Sequence, residues 1–149
     1  MNSNKNILMG VGNILRGDDG IGSIIAKSFK DNDWLSLDCG VAPENYTSII
    51  KKNSPELLII LDVVEMDLKP GELRIINSKK IAALHLTTHS MPLSFLITYL
   101  KDYVEKIIFI GIQPKKIAFS DSISPEVLTC KDAIFKILKH KLFHQIKEL

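Results

Sequence analysis

The sequence is poor in the features that announce many protein classes. It has only two cysteines, Cys39 and Cys130, with no Cys-x-x-Cys pair. That pattern reads as reduced thiols in the cytoplasm rather than as a disulfide framework. Its longest apolar run covers residues 57–61, far below the roughly 20 residues needed to cross a bilayer, so no membrane insertion is expected. The N-terminal residues lack the apolar core and small-residue cleavage site of a signal peptide. No block of Lys or Arg exceeds two residues and the net charge is +2, which gives no basic stripe for nucleic acid. Neither a Gly-x-Ser-x-Gly elbow nor a His-Glu-x-x-His helix is present, which disfavours two common hydrolase mechanisms. There is also no repeat, low-complexity tract or Pro/Gly/Ser linker, so residues 1–149 are read as one domain.

What is present is an alternation of apolar strands and amphipathic helices. Asn6–Val11 and residues 34–38, 57–61, 71–76 and 107–112 have the form of strands. Residues 20–29, 44–52, 92–103 and 125–147 have helical spacing, with Asp18 or Asp19 near the start of the first helix. Pro92 is read at the first position of the third helix and Ser124 as the cap of the last. Strands alternating with helices predict a three-layer α/β domain with a mostly parallel, partly mixed sheet of about five strands. Ligands of such sheets sit beyond the carboxyl ends of the strands. That rule selects residues 12–19, 38–44, 62–67 and 113–122 as the functional edge, with Asp19, Asp38 and Asp62 on it.

Each candidate has a bland counterpart. Gly10-Val11-Gly12-Asn13-Ile14-Leu15 suggests a dinucleotide loop, but Leu15 replaces the third glycine and two aspartates would repel a pyrophosphate. Asp18-Asp19-Gly20 reads as a helix cap, although Asp18 can cap while Asp19 projects into a cleft. Asp62 ends a five-residue apolar strand, where a carboxylate is costly to bury without a partner. His89 lies in a hydroxyl-rich loop, whereas His85 reads as structural. His140 and His144 are one turn apart on the last predicted helix, but Lys139, Lys141 and Lys147 mark that face as solvated. Cys39 reads as a buried thiol. Two carboxylates and an imidazole from separate loops suit a divalent transition metal with open coordination positions.

At these positions the chain resembles the hydrogenase maturation endopeptidases, and most closely those serving the formate-hydrogenlyase hydrogenase. The resemblance runs through Gly10-Val11-Gly12-Asn13-Ile14-Leu15-Arg16-Gly17-Asp18-Asp19-Gly20-Ile21-Gly22 and Asp38-Cys39-Gly40-Val41-Ala42-Pro43-Glu44-Asn45. It continues through Leu61-Asp62, Lys69-Pro70-Gly71-Glu72-Leu73-Arg74-Ile75-Ile76, Thr87-Thr88-His89-Ser90-Met91-Pro92-Leu93 and Phe109-Ile110-Gly111-Ile112-Gln113-Pro114. It implies an α/β/α sandwich and removal of a C-terminal extension from the nickel-loaded large-subunit precursor of a [NiFe] hydrogenase. Matched by motif, the family's metal ligands fall on Asp19, Asp62 and His89. The metal expected is nickel carried by the substrate, although other divalent metals suit the same ligands. Asp19 and Asp62 are the expected catalytic carboxylates, with Asp38 a weaker candidate. Cys39 stands where close relatives often have a second glycine. Two other readings compete: an Asp19–Asp62 proton-sharing aspartic peptidase that needs no metal, and a noncatalytic nickel-sensing chaperone of the large subunit.

Overall fold

A computed structural model of the chain describes residues 5–88 and 91–149. In chain order the elements are β1 (Asn6–Val11), α1 (Ile21–Ser28), β2 (Trp34–Gly40), α2 (Thr47–Asn53), β3 (Leu57–Val63), β4 (Leu73–Ile75) and α3 (Ser78–Ala83). There follow β5 (Thr87–Thr88), β6 (Met91–Pro92), α4 (Leu93–Leu100), β7 (Lys106–Ile112), α5 (Pro125–Leu128) and α6 (Cys130–His140). Five strands form one sheet in the order β2-β1-β3-β7-β4, and β5 pairs with β6 separately. All pairs in the main sheet are parallel except β4 with β7. The expected mostly parallel, partly mixed sheet is therefore observed.

The alternation of side chains along each strand divides the core in two. Leu57, Ile59 and Leu61 of β3 join Ile21 and Ile25 of α1 and Ile134 and Leu138 of α6 on one face. Leu58 and Ile60 join Ile50, Ile81, Leu93, Leu96 and Leu100 on the other. A strand buried on both faces must be apolar throughout, which is why β3 and β7 lack the polar alternation of an exposed sheet. Helices on both faces make the α/β/α sandwich.

Several boundaries differ from the sequence expectations. The final helix does not run to residue 147. Lys141 adopts a left-handed φ of 54° and ends α6, and the chain then pairs with β4 through Ile75 N–H to Lys147 C=O at 2.9 Å. The reversal also separates His140 from His144, which occupies a short 3₁₀ turn, so the two do not share a helix face. His85, read as structural, is exposed with a φ of 52°. Pro92 precedes α4 as its cap residue and not as its first helical residue, because it pairs with Thr87. Ser124 does occupy the cap position before Pro125, but its hydroxyl makes no capping bond.

Candidate active site

The carboxyl ends of β1 and β3 converge on one short turn. Gly10 of β1 stands opposite Leu61 of β3, which places Val11 and Asp62 level at the end of the sheet. The chain leaves β1, makes a loop shaped by the Asn13 side chain accepting from Leu15 N–H at 2.9 Å, and enters a 3₁₀ turn, Gly17–Gly20. That turn lies directly on the strand ends. A Cβ at Gly12 would sit 2.3 Å from the Asp19 carbonyl oxygen, and one at Gly22 would sit 2.4 Å from the Val11 oxygen and 2.8 Å from the Leu61 oxygen. Only glycine permits so close an approach at these two positions.

Asp18 and Asp19 have divided their work, and the part of Asp18 is not that of a helix cap. Asp18 is fully buried. Its Oδ2 accepts from the N–H groups of Lys115 and Lys116 at 2.8 Å each and from the Ser124 hydroxyl at 2.9 Å. Its Oδ1 accepts from Ser124 N–H at 2.6 Å. The expectation that Asp18 caps the first helix is corrected: Gly20 is the cap residue of α1 and makes no side-chain capping bond. Burial alone would push the Asp18 carboxyl up, but these bonds together hold it below the ordinary value of 3.8. Asp18 is a staple fastening the 3₁₀ turn to the loop after β7.

Asp19 is half-buried on the same turn. Asp62, at the tip of the central strand, is 5% exposed, and its Oδ1 accepts from Val63 N–H at 2.7 Å. Its carboxyl is held well above the ordinary 3.8, chiefly by burial and further by the negative charge of Asp19, with the Val63 bond opposing. Among the described residues no basic side chain forms an ion pair with Asp62. A buried carboxylate with a second carboxylate acting on it is the environment a cation relieves. His89 lies outside the described residues. Of the three motif-matched residues, Asp19 and Asp62 are brought together at one strand edge. Among the described residues alone, no three His, Cys, Asp or Glu side chains form a metal-holding group.

Asp38 is exposed, and its Oδ1 accepts from the Ser23 hydroxyl of α1 and from Gly40 N–H at 3.2 Å. The strand register shifts after Gly10–Asp38, so that Gly40 faces Val11 and Cys39 is the extra residue of a bulge. Cys39 is buried, as expected, and burial followed by the charge of Asp38 pushes its thiol up to about 12. Residue-type reasoning did not single out Gln113. It is 3% exposed. Its Oε1 accepts from Met66 and Leu68 N–H at 2.7 and 3.2 Å, and its Nε2 donates to Glu65 at 2.8 Å. It thereby shapes the loop that follows Asp62. An amide at the end of an apolar strand was the available signal.

A wide concavity of 1130 Å³ lies away from these carboxylates, lined by residues of α3, α4 and the C-terminal tail. A smaller groove of 240 Å³ lies between α2 and α4, where Met91 and Phe95 face Glu44 and Thr47.

Comparison with known proteins decides the lineage. A family model described as hydrogenase maturation protease (HycI) matches residues 21–141. The hydrogenase 3 maturation protease of Escherichia coli K12 is 36% identical over 137 residues, covering 89% of this chain and 88% of that protein. The chain belongs to the hydrogenase maturation protease family. A crystal structure of the hydrogenase 3 maturation protease superposes with a TM-score of 0.89 at 34% identity, covering 97% of this chain and 96% of that one. The [NiFe] hydrogenase maturation protease HycI of Thermococcus kodakarensis KOD1 gives 0.81 at 27% identity, covering 93% and 92%. The protein is thus a peptidase of the hydrogenase maturation protease family, and no described helix is long and apolar enough to cross a membrane.

Proposed function

We propose that the chain is a cytoplasmic, single-domain endopeptidase that removes a C-terminal extension from the nickel-loaded large-subunit precursor of a [NiFe] hydrogenase. The carrying observation is Asp62, a buried carboxylate at the tip of the central strand under the charge of Asp19, in a hydrogenase maturation protease. A negative site of this kind suits metal that arrives with the substrate. Asp19, Asp62 and His89 would hold the precursor's nickel, which supplies Lewis acidity to the scissile carbonyl. Holding it places the bond beside carboxylates, and one of Asp19 or Asp62 accepts a proton from the attacking water. Asp38 is less suited to that role, because Ser23 and Gly40 already engage its oxygen.

The test is incubation with the precursor, with and without nickel, read out by intact mass. Shortening of the nickel-loaded form alone supports the proposal. No shortening of either form favours the noncatalytic chaperone. Equal cleavage of both favours the metal-independent Asp19–Asp62 dyad, for which the raised Asp62 carboxyl is the supporting observation.

A further inference from the structure

Phe119 is 91% exposed, and Leu15, Ile14 and Ile117 are 57%, 56% and 40% exposed. These residues belong to two loops joined side by side: Ser120 N–H donates to Leu15 C=O at 3.0 Å, Gly17 N–H to Ser120 C=O at 2.8 Å, and Asp18 N–H to Lys116 C=O at 3.1 Å. The buried Asp18 carboxylate fastens the same pair of loops. The loops thus satisfy their own polar groups while presenting large apolar side chains to water, the signature of a surface meant to be covered. Beside Phe119 is a concavity of 260 Å³, lined also by Ala118, Ile123 and Pro125, room for one apolar side chain.

Charge and position indicate what covers it. Arg16, Lys115 and Lys116 are exposed around the patch; Lys115 is taken by Glu126, whereas among the described residues Arg16 and Lys116 form no ion pair. Asp121 is the sole acid of residues 113–122. The complement is an apolar knob flanked by carboxylates. The first loop runs without interruption into the turn bearing Asp19, so a protein anchored here holds its tail close to the carboxylates.

We propose that Leu15, Phe119 and the adjoining concavity form an exosite that docks the folded body of the precursor through an apolar side chain flanked by carboxylates. This rests on the peptidase reading above. It is tested with the L15S/F119A double variant and with Lys116→Glu, using the [NiFe]-hydrogenase large-subunit precursor of the same organism. Thermal melting checks that each variant remains folded. For the double variant, KM for nickel-loaded precursor should rise by about tenfold or more, with kcat within about twofold. The Kd for metal-free precursor should rise in parallel, and Lys116→Glu should raise KM and weaken its salt dependence. Unchanged KM and Kd in the double variant overturn the proposal. So does light scattering that shows a wild-type dimer dispersed by the double variant with precursor binding intact, since the surface would then belong to a second copy. If the wild type cuts no precursor but binds it in a Phe119-dependent way, the docking surface stands and the peptidase reading fails.

Discussion

The charge of Asp19 opposes the ionisation of Asp62 at the carboxyl edge of the sheet, adding to the burial that keeps the Asp62 carboxyl well above 3.8. An unfolded Asp62 would release its proton near that ordinary value. Between it and the raised folded value the native state binds more protons, so metal-free stability from this group falls as pH rises.

Asp62→Asn should therefore stabilise the metal-free protein at neutral pH, by on the order of 1–3 kcal/mol, or several degrees in Tm. It should also flatten the decline that begins as pH rises above the ordinary value of 3.8. Urea titrations at several pH values measure this. A variant less stable than wild type at pH 7 would show that the carboxylate is already compensated. Divalent metal should raise the Tm of wild type more than that of the variant.

Asp18→Asn should act in the opposite direction. An amide nitrogen in place of either oxygen would face the N–H groups of Lys115, Lys116 or Ser124, at a cost of about 2–4 kcal/mol. Because the Asp18 carboxyl is depressed in the folded protein, its contribution is complete above the unfolded value of about 4 and is lost as pH falls through the lower folded value. Equilibrium unfolding at pH 7 and in acid tests both points, and equal stabilities at pH 7 would contradict the staple.

Cys39 should prove dispensable for chemistry. With its pKa near 12, roughly one thiol in a hundred thousand is thiolate at pH 7. Cys39→Ala should leave the processing rate within about twofold while costing about 1–2 kcal/mol of stability. Iodoacetamide should react slowly with the folded protein. A rate loss beyond about tenfold in a variant that still melts normally would assign the thiol a role.

His89→Ala should abolish processing of nickel-loaded precursor, by about a thousandfold or more, with unchanged melting. Intact mass after incubation decides it, and wild-type cleavage by the variant would remove His89 from the ligand set.

The sheet was legible because its signals are local. The residues 57–61 run can bury both faces only as a central strand, and the cost of burying a carboxylate at its end marks Asp62 in the sequence itself. The role of Asp18 was not legible. Asp-Asp-Gly before a helix satisfies every local rule for a cap, and the donors that claim this carboxylate lie about a hundred positions away. The end of α6 was hidden for a related reason. Residues 141–147 keep helical spacing, and the competing offer is the β4 edge at Ile75, which no window around residue 141 contains. The exposure of Phe119 likewise has no signature in an apolar residue type.

The separations in the Asp18 staple also bear on the order of assembly. Its partners lie 97, 98 and 106 positions downstream. The acidic turn leaves the ribosome early, yet it cannot be fixed on the strand ends until the segment after β7 has been synthesised and folded back. Closing so long a loop is slow compared with pairing neighbouring strands. A nascent chain would thus have β1, β2 and β3 side by side while Asp19 is still unanchored, and competence to cut would arise as one of the last events of folding.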